Sequence, residues 1–331
     1  MKSKLSSPFA EIPFLNTPIF LVPFLLLSLI YCLIFPNDLR LQSMLAPCNS
    51  APATSTSAHQ LAEEAYTAVD LRVLLGVLTR PCSYERRALL RLAYKLQPPP
   101  TRAVIDVRFV LCNITTEEDA TLVALEIIAH DDILVLNCTE NMNDGKTLEF
   151  FSAVPRLFGG ADDEPAYDYV GKADDDTYYR LAALADTLRG KSRRDAYHGF
   201  LWPCGEEKEK DPAVEPFMVG WGYVVSWDVA AWISSAAAEE ELRRDAKGPE
   251  DMTFAWWLRR AGRGKNVYGE GHRMYEYLDE AWMGGLSCYR HLLVPDTVAV
   301  HRLKERILWA RTLRFFNATT GLKPSKMYHL N

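Results

Sequence analysis

Apolar residues divide the chain into two unlike parts. From Pro18 to Phe35 the sequence PIFLVPFLLLSLIYCLIF carries no charge and no polar break at helical spacing. Extended back to Phe14 it covers 22 residues, about 33 Å of helix at roughly 1.5 Å each, enough to cross a bilayer core. Pro23 would kink such a helix without excluding it. A cleaved signal peptide would have a shorter apolar stretch and small residues at its cleavage site, and Ile34-Phe35-Pro36 fits that poorly. A buried soluble helix is the plainer alternative, but nothing polar breaks the run at helical spacing and its length suits a bilayer. The expected organisation is a tail (1–17), a transmembrane signal anchor (18–35), a stem (36–68), one folded domain (69–315) and a C-terminal tail (316–331).

Beyond the anchor the pattern changes. SAPATSTSAHQ (Ser50 to Gln60) is rich in Ser, Thr, Ala and Pro without apolar periodicity, the composition of a solvated stem. Continuous apolar runs of strand length then alternate with segments of helical period. LRVLLGVLT (71–79), VIDVRFVLC (104–112), DILVLN (132–137) and YDYVGK (167–172) read as strands. YERRALLRLAYKL (84–96), TEEDATLVALEIIAH (116–130) and KTLEFFSAVPRLF (146–158) read as helices. Ser83 is placed to cap the first of these helices, and Thr115 or Thr116 the second. After EEKEKDPAVE (206–215) the pattern is mixed, with a strand-like FMVGWGYVVS (217–226) and helices around 228–238 and 250–261. Strands alternating with helices predict an α/β fold whose mostly parallel sheet is flanked by helices. Ligands of such sheets bind beyond the carboxyl ends of the strands.

Charge adds orientation. The formal net charge of -6 argues against nucleic acid as a partner. Lys2 and Lys4 precede the apolar run against the single acid Glu11, so the positive-inside rule keeps the N-terminus cytosolic and sends the rest to the lumen. Three acceptor sequons lie on that side, at Asn113-Ile-Thr115, Asn137-Cys-Thr139 and Asn317-Ala-Thr319. Six of the seven cysteines (Cys48, Cys82, Cys112, Cys138, Cys204 and Cys288) also lie beyond the anchor, where an oxidising lumen permits disulfides of unreadable connectivity.

Three segments carry candidate chemistry. KADDDTYY (172–179) places Asp174, Asp175 and Asp176 at a predicted strand end. Adjacent carboxylates repel and are tolerated where solvent or a hard cation offsets their charge. If the chain stays extended, Asp174 and Asp176 share a side and could hold a cation of the Mn or Mg kind against two phosphates. A solvated acidic loop is the plainer alternative. EPFMVGWGYVVSWD (215–228) sets Trp221 between Gly220 and Gly222, where an aromatic ring stacks on a sugar or simply packs. GPEDMTFAWWL (248–258) puts Glu250 and Asp251 in the first turn of a helix. There they complement the helix dipole, a role compatible with serving as a catalytic base. His301, closing the alternating stretch DTVAVH, reads more readily as a structural residue than as a ligand.

Taken together, these residues resemble glycosyltransferase family 31, the β-1,3-galactosyltransferase and β-1,3-N-acetylglucosaminyltransferase group to which Fringe is related. The resemblance runs from about Leu71 to about His301. VGKADDDTYY is similar to the family's Lys-x-Asp-Asp-Asp segment, FMVGWGYVVSWD to Gly-x-Gly-Tyr-Val-x-Ser, and PEDM to Glu-Asp-Val, in the family's order and spacing. YERRALLRLAY resembles the early basic helix, with Ala93-Tyr94 where the family ends in Thr-Trp. RFVLCN and HDDILVLNCTENMNDGKTLEF resemble two further blocks, but Cys112 replaces a Gly, and Asn137 and the short Gly145-Lys146-Thr147 also depart.

The resemblance implies a GT-A nucleotide-sugar-binding fold, a UDP-sugar donor, Mn2+, and inversion at the anomeric carbon of a hexose, here galactose in β-1,3 linkage. The acceptor would be the hydroxyl of a glycan or glycoprotein. It places metal ligands at Asp174, Asp176 and His301, and the acceptor-activating base at Asp251 with Glu250 beside it. Donor or acceptor contacts fall on Lys172, Asp174, Asp175, Trp221, Gly222 and Tyr223. The implied setting is a Golgi membrane, single-pass type II, with the folded domain in the lumen. A UDP-N-acetylglucosamine-using transferase, a catalytically silent glycan binder and a calcium-dependent lectin-like module stay open as alternatives.

Overall fold

The computed structural model describes residues 69–160, 165–205, 208–209, 212–278 and 287–318. The expected tail, anchor and stem lie outside the described residues. Among those described, no helix is long and apolar enough to cross a membrane.

The predicted alternation is the observed one. In chain order the elements are β1 (Leu71–Leu78), α1 (Tyr84–Lys95), β2 (Ala103–Leu111), α2 (Glu117–His130), β3 (Ile133–Val135), α3 (Lys146–Phe158), β4 (Tyr169–Asp174) and β5 (Tyr178–Tyr179). They continue with α4 (Leu181–Arg189), β6 (Ala196–Trp202), β7 (Phe217–Ser226), α5 (Trp227–Ile233), α6 (Ala236–Arg244), α7 (Glu250–Arg260), β8 (Asn266–Gly269), β9 (Met274–Glu276), β10 (Ala299–His301) and α8 (Arg306–Phe315). A seven-stranded sheet runs β3-β2-β1-β4-β7-β6-β8, with β7 antiparallel to both its neighbours and the other pairs parallel. This mostly parallel sheet flanked by helices is the arrangement that the alternation of strands and helices predicts.

β1 explains why the first strand is apolar without interruption. It lies between β2 and β4, and alternate side chains enter two separate cores. Leu71, Val73, Leu75 and Val77 pack with Leu90, Leu184 and Leu188 from α1 and α4. Leu74 and Leu78 pack with Phe150, Phe151, Val229 and Phe254 from α3, α5 and α7. The helix expected around 228–238 is two helices, because the chain leaves α5 at Ser234 and restarts at Ala236. Ser83 precedes α1 without a side-chain cap, whereas Thr116 Oγ1 accepts from the Asp119 amide and caps α2.

A second sheet, β5-β10-β9, stands at the carboxyl end of β4. β10 runs antiparallel to β5, with Ala299 opposite Tyr179, and parallel to β9, with His301 opposite Glu276. Two disulfides fix the surrounding loops: Cys112–Cys138 joins the ends of β2 and β3, and Cys204–Cys288 joins the segment after β6 to the one before Tyr289. Cys82 is exposed and unbridged. Cys112, which stands where the resemblance called for a glycine, is thus explained by its pairing.

The basic helix α1 is fastened to α2 through charge. Arg87 is fully buried and donates to both oxygens of Glu126, at 2.9 and 2.5 Å, and to the Arg80 and Pro81 carbonyls. Arg91 donates to Glu126 at 2.6 Å and to Asp132 at 2.7 and 2.8 Å. Burial alone pushes the Glu126 carboxyl up, but the hydrogen bonds from Arg87 and Arg91 outweigh it and hold the group below the usual carboxylate range. Glu126→Ala leaves the Arg87 cation unpaired in the core, and we expect a loss of about 3 kcal/mol in urea denaturation. In the unsubstituted chain a group with a lowered folded pKa stabilises above its unfolded value of about 4.3, and that stabilisation is lost as pH falls through the folded value. The difference between wild type and Glu126→Ala should therefore shrink below about pH 4.

Candidate active site

The site is built on the carboxyl end of β4. Asp174 closes this strand opposite Leu78 of β1, and the chain then turns, with the Thr177 amide donating to the Asp174 carbonyl at 3.1 Å. The extended segment expected through Asp174–Asp176 does not form. The turn, not strand alternation, brings Asp174 and Asp176 onto one side, and His301 arrives there because β10 pairs with β5. Each of the three offers a ligand atom, all within 4.8 Å of one another. Leu303, just past His301, donates its amide to the Asp176 carbonyl at 3.0 Å and locks β10 to the turn.

The three aspartates have different surroundings. Asp175 is held by the end of β1 and by α1, accepting from Thr79 Oγ1 at 2.7 Å and Arg86 Nη1 at 2.6 Å. Asp176 is 5% exposed, and its Oδ1 lies 3.3 Å from His301 Nε2. Burial pushes its carboxyl up, yet His301, Lys304 and Arg86 hold it below the ordinary range. Burial likewise pulls the His301 imidazole down, but Asp176 and Glu276 together hold it above its ordinary value. Asp174 Oδ1 is buried 2.9 Å from Lys172 Nζ without hydrogen-bond geometry, which leaves it a free lone pair. Two carboxylates and one imidazole fit a divalent cation of mixed oxygen and nitrogen preference.

Lys172, fully buried on β4, lies between Asp174 and Glu250, with Glu250 Oε2 at 3.2 Å, and donates to the Gly220 carbonyl. Desolvation lowers its pKa, but the two carboxylates hold it above its ordinary value. Glu250 also accepts from Tyr223 Oη at 2.5 Å, and burial drives its carboxyl up against the pull of Lys172. Gly220 allows both acids of α7 to approach β7, since a Cβ there would meet Glu250 Oε2 at 2.9 Å and Asp251 Oδ2 at 3.2 Å. Asp251 is half-buried, accepts from the Gly220 amide at 2.9 Å and from the Met252 amide at 2.9 Å, and faces a cavity.

Several of the residues expected to contact donor or acceptor are buried among protein partners. Lys172 and Tyr223 are fully buried: Tyr223 donates to Glu250, and Lys172 lies against Asp174, Glu250 and the Gly220 carbonyl. Trp221 is 3% exposed, with its ring stacked on His301 at 5.2 Å and 8°; it shapes the imidazole's surroundings and presents no open face for a sugar. Gly222 is buried where a Cβ would collide with Tyr179. The structure brings together Asp174, Asp176 and His301 in one cluster, and Lys172 links that cluster to Glu250 beside Asp251.

Two cavities flank this centre. One of about 820 Å³ lies at the carboxyl ends of β1, β2 and β3, lined by Arg80, Asn113, Asn137, Glu140, Asp144 and Lys247 among others. Another of about 670 Å³ includes Trp202, Val219, Asp251, Glu276, Tyr289 and Arg290. Glu276 and Tyr289 had no local signal in the sequence: their place depends on the register of β9 with β10 and on the Cys204–Cys288 bridge.

No protein-family model matches the chain. Over 297 aligned residues it is 25% identical to the β-1,3-galactosyltransferase pvg3 of Schizosaccharomyces pombe, an alignment covering 74% of each protein. It is 29% identical over 199 residues to β-1,3-galactosyltransferase 6 of Mus musculus, covering 55% of this chain and 58% of that one. Among solved structures, galactosyltransferase LgtC bound to donor and acceptor sugar analogs aligns with 77% of this chain and 98% of its own, at 12% identity and a TM-score of 0.42. That likeness is too slight to argue from, and the fold stands on its own topology. The sequence relatives and the strand-end carboxylates together identify the chain as a glycosyltransferase related to the β-1,3-galactosyltransferases of family 31.

Proposed function

We propose that this protein is an inverting hexosyltransferase that moves galactose from UDP-galactose, in β-1,3 linkage, to a hydroxyl of a glycan or glycoprotein. The observation that carries the reading is the Asp174–Asp176–His301 cluster at the end of β4, joined through Lys172 and Glu250 to a cavity-facing Asp251. Galactose and the β-1,3 linkage are supported by the names of the relatives. The domain at 69–315 is proposed to stand in the Golgi lumen on a type II anchor at 18–35.

In this reading the larger cavity takes the nucleoside, since ligands of such sheets sit beyond the strand ends. Asp174, Asp176 and His301 would hold Mn2+, which when bound supplies Lewis-acid stabilisation of the departing diphosphate. The acceptor enters by the cavity beside Asp251. Its oxygen forms the new bond to the anomeric carbon as the carbon–oxygen bond to the diphosphate breaks, and the electron pair of that bond leaves with the diphosphate. The acceptor proton passes to Asp251. The Gly220 amide fixes one carboxylate oxygen of Asp251 in place, and each oxygen keeps a lone pair for the incoming proton. Lys172 offsets the negative charge that Asp174 and Glu250 bring close to the donor's phosphates.

The three sequons are not equivalent under this reading. Asn113 and Asn137 line the larger cavity, whereas Asn317 is exposed just beyond α8 and lines neither cavity. A glycan on Asn317 leaves the site open. Protein from a secretory host should shift in mobility on glycosidase treatment, the shift persisting in Asn113→Gln/Asn137→Gln and disappearing in Asn317→Gln. A chain that never shifts contradicts the luminal setting.

Released UDP, measured over a panel of UDP-sugars with Mn2+, tests the reaction. Chelator should abolish release and Mn2+ restore it, and Asp176→Asn should lose donor binding while its melting temperature holds. Full activity in chelator rules the cluster out as a cation site. A general base contributes about 100- to 10,000-fold to rate. Asp251→Asn should therefore collapse kcat with UDP-sugar binding intact, whereas a mere helix-start acid is worth only about 0.3 to 1 kcal/mol of stability. An Asp251→Asn protein of nearly normal kcat would move the base elsewhere.

A further inference from the structure

His301 is clamped at both ring nitrogens. Its Nε2 lies 3.3 Å from Asp176 Oδ1, on the side of the carboxylate cluster, and its Nδ1 lies 3.0 Å from Glu276 Oε1. Glu276 comes from the neighbouring strand, since β9 pairs with β10 so that His301 stands directly opposite it. Its side chain is 8% exposed, well out of bulk water. The remaining oxygen, Oε2, accepts from the Tyr289 hydroxyl, and Arg302 Nε approaches Oε1 at 3.8 Å. Trp221 covers one face of the imidazole. Every rotation of the ring is therefore opposed by a named contact, and a carboxylate at Nδ1 selects the tautomer that carries its proton there. With the Nδ1 proton held by Glu276, the proton that Nε2 shares with Asp176 is the one a cation would displace, and Nε2 would then turn its lone pair to the cluster.

We propose that Glu276 is a positioning residue for the cation site: by accepting from His301 Nδ1 it holds Nε2 ready to ligate, without touching the cation itself. The proposal rests on the reading of Asp174, Asp176 and His301 as a cation site. Neither the resemblance nor the relatives assign a role to Glu276. Its position between His301 and Tyr289 also joins the cation side of the centre to the wall of the 670 Å³ cavity. Outer carboxylates of this kind raise the basicity of a ligating imidazole and remove its freedom to turn away.

The test is the affinity of the folded domain for Mn2+ alone, with no donor or acceptor present, measured by electron paramagnetic resonance of the free ion. Glu276→Ala should weaken binding by about 10- to 100-fold. Glu276→Gln, whose amide oxygen still accepts from Nδ1–H, should recover part of that loss. In a His301→Ala background, Glu276→Ala should cause no further loss, because Glu276 acts only through the imidazole. Unchanged Mn2+ affinity in a folded Glu276→Ala protein overturns the proposal. So does an equal loss with and without His301. Should the alanine variant not fold, Glu276→Gln decides alone: an affinity between those of wild type and His301→Ala supports the role, and an affinity equal to wild type removes it. A wild-type domain that binds no Mn2+ overturns the cation reading and this proposal together. A domain whose binding falls with His301→Ala but not with either Glu276 variant overturns this proposal alone.

Discussion

The centre depends on one buried cation. Lys172 has no contact with water, and it stands between Asp174 at the end of β4 and Glu250 at the start of α7. A charge in that position is tolerated only when paired and hydrogen-bonded, and here two carboxylates and the Gly220 carbonyl share it. The same contact lets acids from two distant segments, which would otherwise repel, approach one centre. Removing the ammonium would leave the buried Glu250 carboxyl and the half-buried Asp174 without the charge that offsets them, so this contact helps to hold β4 against α7.

Around that contact the fold adds long-range fasteners in places where the sheet alone would leave loops loose. Arg86 and Thr79 fix Asp175, and so the turn that presents Asp176. Buried Lys146 donates to the Thr79 carbonyl and to Glu140, tying α3 to the end of β1. The Cys112–Cys138 bridge closes the ends of β2 and β3 beside the larger cavity, and Cys204–Cys288 brings Tyr289 against Trp202, with ring centroids 5.4 Å apart. The departure from the family pattern at Cys112 therefore alters how the loops are held, through its bridge to Cys138, and leaves the carboxylates of the centre intact.

The second sheet accounts for the presence of a histidine in the cluster. β10 runs antiparallel to β5 and parallel to β9, so a single strand delivers His301 to Asp176 on one side and to Glu276 on the other. Asp176 and Glu276 then hold the imidazole above its ordinary pKa despite burial. An imidazole so placed is a rigid part of the centre, with Trp221 completing its packing.

The sequence by itself determined the α/β alternation, the bounds of β7 and α3, and the strand-end position of Asp174, because periodicity and burial on both faces of β1 are local properties written into neighbouring residues. It also singled out Asp176, Glu250 and Asp251 through short motifs. It gave no sign of Glu276 or Tyr289, did not distinguish a ligand from a structural residue at His301, and did not reveal that Lys172, Trp221 and Tyr223 are buried among protein partners. Those outcomes were decided only by tertiary structure, since each depends on a partner far away along the chain: Lys172 on Glu250, His301 on Asp176, Glu276 on the register of β9 with β10. A single chain's pattern records which face a residue turns inward, but not which distant carboxylate will be there to meet it.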